Sequence, residues 1–151
     1  MKISNDQEFK DALNSLSLDQ QRLLGARFVN SVIALVDNPR LSSALGIAID
    51  PESDQQACND AYKVAKSIAT KTYTACGRDA DWALQAEHFV AAACAAALTP
   101  QALMTERFSP AWKAAIQSRM ARNCIMIGDE TAEVENEAER QYRLTLDFLD
   151  N

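Results

Sequence analysis

The sequence predicts an all-α fold, a single compact bundle of about six or seven helices over residues 1–151. Three observations predict it. First, Asp81 to Leu98 is a stretch dominated by alanine. Alanine is the best helix former, and its small side chain lets neighbouring helices approach closely. Second, helix-start signals recur along the chain, at Ser4 with Gln7, Ser17 with Gln20, Asp50-Pro51-Glu52, Thr99-Pro100 and Ser109-Pro110. Third, the chain has only four glycines and four prolines and no alternating apolar–polar run, which leaves little for an all-β fold to turn on.

The elements follow in order. Ser4 and Gln7 form a capping box that opens a short helix near 5–16, with Phe9, Leu13 and Leu16 on one side. Ser17 and Gln20 open the next, over 18–36, where Leu24, Phe28, Val32, Leu35 and Val36 keep helical spacing. Asp37-Asn38-Pro39 stops it, and Leu41 to Ile49 reads as a short helix containing Gly46. Asp50-Pro51-Glu52 starts a long helix running to Ala75, with Ala57, Ala61, Val64, Ala65, Ile68 and Ala69 inward and Gly77 as its stop. Asp79 is expected to cap the alanine-rich helix, which ends at Leu98. Thr99-Pro100 opens a short segment holding Leu103, Met104 and Phe108. Ser109-Pro110 opens a helix carrying Trp112, Ala115, Ile116, Met120, Cys124 and Ile127, which Gly128-Asp129 ends. The last helix is expected from Glu130 to Leu149, with Val134, Ala138, Tyr142, Thr145 and Phe148 or Leu149 inward.

Composition bounds the function. At 151 residues the chain has the size of one domain and buries a core without disulfides or metals. A net charge of −6 disfavours nucleic acid as a partner of the whole molecule and favours a basic protein surface. The opening Met1-Lys2-Ile3-Ser4-Asn5-Asp6 lacks the apolar core of a signal peptide, and the longest apolar run, Phe89 to Leu98, is too short for a bilayer. A soluble, cytoplasmic protein with no membrane partner is expected. Cys58, Cys76, Cys94 and Cys124 are widely spaced, which reads as buried free thiols.

The sharpest charge pattern is acidic. Asp129, Glu130, Glu133, Glu135, Glu137 and Glu139 fall within eleven residues with no base among them. Acids in a first helical turn complement the macrodipole, and Glu137 can pair with Arg140 at helical spacing. Yet the pairs Glu133–Glu137 and Glu135–Glu139 repel. The run is therefore either a solvated face or a docking surface for a cationic partner. Its partner could also be internal, because Lys63, Lys66, Lys71 and Arg78 form a basic stretch without acids, and Lys113, Arg119 and Arg122 form a second. Exposed pairs of this kind add at most about 1 kcal/mol each.

His88 is the only histidine. A metal site in a helical bundle uses Glu-x-x-His spacing from several helices, whereas Glu87 and His88 are adjacent and point about 100° apart. A structural His88, partly buried and bonded to a neighbouring helix, is set against a metal ligand or general base. Trp82 and Trp112, both near helix starts, read as seals on the ends of the core. No serine lies in a nucleophile context, so no catalytic residue, metal or cofactor is expected.

The order of segments resembles that of a bacterial family of small helical immunity proteins associated with polymorphic toxin systems. The resemblance is carried by Asp19 to Phe28, by Ala57 to Lys66, by the alanine-rich helix holding His88 and by Glu137 to Leu144. It implies a binding protein of immunity or antitoxin type that occludes a partner, and it carries over no functional residue. Joined to the charge pattern, it gives the functional expectation: Asp129, Glu130, Glu133 and Glu137 dock on a basic partner protein such as a toxin. A small enzyme or metal protein centred on His88, and a self-associating adaptor bundle or homodimer, are the alternatives.

Overall fold

The computed structural model describes residues 1–75, 81–129 and 136–150. Among these residues the fold is all-α, with seven α-helices, two 3-10 turns and no strand.

The first helix, α1 (Asp6–Asn14), is capped by Asn5, whose side chain accepts from the Glu8 amide at 2.9 Å. The expected capping box is shifted by one residue, since Ser4 bonds Glu8 rather than Gln7. The box at Ser17 and Gln20 forms as expected and opens α2 (Leu18–Asn30). This helix ends before Val36 for a specific reason. The Ser31 carbonyl accepts from the Arg122 guanidinium at 3.2 Å and its hydroxyl donates to Glu137 at 2.6 Å. Side-chain partners thus serve the helix end, and residues 33–35 continue only as a 3-10 turn.

Asn38 and Pro39 end nothing. Asn38 caps α3 (Pro39–Ile49), with Pro39 in its first turn, where a missing N–H costs nothing. The Asp50-Pro51-Glu52 signal makes a turn instead of a helix start, because the Asp50 side chain accepts from the Glu52 amide at 2.9 Å. Asp54 is the residue that caps α4 (Gln55–Ala75), accepting from the Ala57 amide at 2.8 Å. Gly77 and Asp79, the expected stop and cap, lie outside the described residues. Asp81 caps α5 (Trp82–Leu98). Ser109 and Pro110 open α6 (Pro110–Gly128) as expected. Asn136 caps α7 (Glu137–Leu149).

The alanine-rich α5 is the axis of the bundle, touching α2, α3, α4 and α6. Its second half is buried all round rather than on one stripe: Val90, Ala91 and Ala93 to Leu98 are all in the interior. Arg22 of α2 donates to the last carbonyls of α5, at Ala97 and Leu98. A second core lies between α1, α2, α6 and α7, where Phe9, Phe28 and Leu13 are fully buried and Phe9 contacts the rings of Phe28, Trp112 and Tyr142. Trp112 covers this core, and Trp82 lies against Gly128. No described helix is long and apolar enough to cross a membrane.

The inner face of α7 departs from expectation. Its buried residues are Glu137, Gln141 and, as expected, Thr145, while Ala138, Tyr142, Phe148 and Leu149 are half-buried and Val134 lies outside the described residues. Arg119 and Arg122 of α6 explain this. Arg119 grips both Asp6 oxygens at 2.9 and 3.0 Å and donates to Gln141 at 2.8 Å. Gln141 in turn donates to the Ala115 carbonyl at 2.9 Å. Polar groups can be buried here because each has its partner.

Candidate functional site

Of the acidic docking residues expected from the sequence, the two described ones, Asp129 and Glu137, do not share a face. Asp129 is exposed and follows the end of α6, its amide bonded to Ile125 at 3.0 Å. Glu130 and Glu133 lie outside the described residues. Glu137 must be corrected as a docking residue. It is only 4 % exposed, it accepts from Arg122 Nε at 3.1 Å and from Ser31 Oγ, and a partner cannot reach it. The internal base for this acid comes from the second basic stretch. The first, on α4, packs against α3 and α5, whereas α7 packs on α1, α2 and α6.

His88 is half-buried and ties α5 to α4, as its structural reading requires. Its Nδ1 lies 2.8 Å from the Ala69 carbonyl and 3.3 Å from Thr72 Oγ1. A carbonyl can only accept, so Nδ1 carries a proton. The Tyr73 and Phe89 rings flank the imidazole at 5.6 and 5.2 Å. Glu87 turns away to Asn38. Among the described residues no three His, Cys, Asp or Glu side chains converge as a metal site would need. Cys94 and Cys124 are buried thiols and Cys58 is half-buried, while Cys76 lies outside the described residues. Burial pushes the Cys94 thiol up to about 12, which keeps it protonated and inert.

The structure brings together a different set of side chains. A cleft of about 510 Å³ opens over α5 between α4 and α6. Its floor is Ala92, Ala95 and Ala96, whose methyl groups leave the space that larger residues would fill. One wall is Tyr62, Lys66, Thr70 and Tyr73 of α4, spaced so that they share a helix face. The other is Lys113 and Gln117 of α6, one turn apart, with Leu103 and Phe108 closing the end. His88 lines it beside Tyr73. The described residues lining the cleft include two lysines and no carboxylate. An adjoining shallow depression shares Tyr62, Lys66 and Thr70 and adds Lys63 and Lys71.

Two large side chains at this cleft face solvent. Tyr73 is 68 % exposed and Leu103 61 % exposed, so large apolar groups stand in water beside an apolar floor. Such a patch rimmed by polar groups marks interaction surfaces. Sequence reasoning noted the basic α4 stretch but gave it no site. The readable signal was the recurrence of Tyr62, Lys66, Ala69, Thr70 and Tyr73 on one helix face, with Ala92, Ala95, Ala96 and Thr99 repeating that spacing on the next helix. Comparison of the chain with protein-family models, curated proteins and solved structures finds no match.

Proposed function

We propose that this chain is a binding protein that holds a partner on the α4–α5–α6 cleft. The observation that carries the reading is the pairing of an alanine-floored cleft of about 510 Å³ with exposed Tyr73 and Leu103 at its rim. The volume lies within the range of ordinary small-molecule pockets, about 300–1,000 Å³, and so has room for side chains of a partner. Aromatic and aliphatic anchors beside a pocket are what supply most of the energy in protein interfaces. The resemblance to helical immunity proteins agrees with a protein that acts by occupying a partner's surface. Photo-crosslinking tests the reading. A photoreactive residue at Leu103 should capture the partner in cells that make the protein, and one at Glu139 on α7 should not. Capture from position 139 alone would move the binding face to α7.

That α7 reading is the second one. It rests on the acids from Asp129 to Glu139, of which Asp129 and Glu139 are exposed. In it the protein is an immunity or antitoxin that blocks a basic catalytic surface. Glu137 plays no part in it, because that carboxylate is spent inside the fold on Arg122 and Ser31.

A further inference from the structure

We infer that the cleft takes an acidic segment of a partner protein, a stretch that sets an apolar side chain on the alanine floor and carboxylates against the lysines of the walls. The inference rests on the cleft being the binding face. Lys66 and Lys113 enter it from different helices, and among the described residues no carboxylate bonds either ammonium group. Lys63 and Lys71 continue the cationic strip along α4 into the adjoining depression. An occupant therefore meets positive charge on two sides of an apolar seat. Complementary charge at the rim of an interface speeds encounter and rejects wrong partners.

The exposed rim selects a polypeptide over a small anion. A small anion seated on the floor would leave Tyr73 and Leu103 in water, whereas a chain passing through the cleft covers both. The whole-molecule charge of −6 selects against a long phosphate polymer, whose charges extend beyond the lysine strip into acidic surroundings. A short acidic segment feels the local lysines first, since charges farther off are screened within about 8–10 Å.

Three short labelled peptides sharing a central Trp-Leu pair, flanked by Glu, by Gln or by Lys, test this by fluorescence anisotropy, with an oligothymidylate as a fourth probe. The Glu-flanked peptide should bind at least about tenfold more tightly than the Gln-flanked one and lose that advantage in a Lys66→Gln/Lys113→Gln chain and at high salt. The three side chains changed in these variants, Lys66, Lys113 and Thr70, are exposed, and unchanged helical circular dichroism verifies their folding. The inference is overturned if the Glu-flanked peptide does not bind, if the Lys-flanked peptide or the oligothymidylate binds as well, or if the preference survives the double substitution. Thr70→Trp fills the cleft and separates the two levels of the argument. If every peptide binds alike and Thr70→Trp abolishes all of it, the cleft stands and the acid preference falls. If binding of the Glu-flanked peptide survives Thr70→Trp, the cleft itself is the wrong face.

Discussion

Glu137 and Glu139 are both acids in the first turn of α7, and their surroundings differ: Glu137 is buried and Glu139 is exposed. Glu137 is sealed against Arg122 and Ser31, so removing its charge leaves a buried guanidinium without its carboxylate. Breaking a buried pair in this way costs about 3–5 kcal/mol. Urea unfolding of Glu137→Gln should show a loss near the lower end of that range, about 3 kcal/mol, while Glu139→Gln stays within about 0.5 kcal/mol. Equal midpoints for the two variants would contradict the burial of Glu137. Asp6 gives a pH signature. The Arg119 guanidinium, helped by the Tyr142 hydroxyl at 2.7 Å, holds its carboxyl below the ordinary 3.8 against an opposing desolvation effect. The folded state therefore binds the Asp6 proton less readily than the unfolded chain. The stabilisation is fully present above about pH 4 and is lost as pH falls through the folded value. Asp6→Asn should be less stable than the wild type at pH 6–7, by less than about 1 kcal/mol because the side chain is half in water, and the difference should shrink below about pH 4. A gap that widens in acid would show the opposite sign and sink the assignment.

At the scale of the element, starts were legible where the cap and the helix share one local signal. Ser17 with Gln20 and Ser109 with Pro110 are examples, because capping is a contact between residues three apart. Asp50-Pro51-Glu52 has the same letters, but Asp54 lies four residues on and supplies a second cap that starts the helix later. Helix ends were less legible. The end of α2 is set by Arg122, and the polar inner face of α7 by Arg119 and Arg122, all distant in sequence. An apolar-stripe reading of α7 placed Thr145 inward but could not anticipate Glu137 and Gln141 as buried residues, since nothing local to that helix announces a guanidinium on α6. The glycines sort in the same way. A Cβ at Gly128 would stand 2.7 Å from the Trp82 Cβ, so the α5 start and the α6 end meet only because that side chain is absent. Gly46, on an exposed side of α3, has nothing within 4 Å of an added Cβ. Thermal unfolding should place Gly128→Ala below the wild type by about 1–3 kcal/mol and Gly46→Ala above it by about 0.5–1 kcal/mol. The reverse order would contradict the packing at the α5–α6 end.

Across the whole molecule, one helix shapes both the packing and the cleft. The alanines of α5 let α2, α3, α4 and α6 close around it, and where α4 and α6 splay apart the same small residues leave a cleft. The fold class was legible in those alanines because helix propensity and close packing are both properties of the residue type. The cleft was not legible as a site, because a concavity arises from three helices at once and leaves no motif in any of them. Its parts were visible only singly: Lys66 in a basic stretch on α4, Lys113 in a second one, His88, and Leu103 and Phe108 in the segment between α5 and α6. Of the charge run that drew attention instead, the described acids are Asp129, which follows α6, and Glu137 and Glu139 of α7, with Glu137 turned inward.

The central claim is that recognition belongs to the cleft and not to the acids of α7. The most direct measurement is the affinity of the partner captured at position 103 for three chains: wild type, Thr70→Trp and Asp129→Lys/Glu139→Lys. The cleft account expects Thr70→Trp to weaken binding by at least about a hundredfold and the acid reversal to change it by less than about threefold. Tight binding by Thr70→Trp together with its loss in the acid reversal would contradict that account and return the binding face to α7.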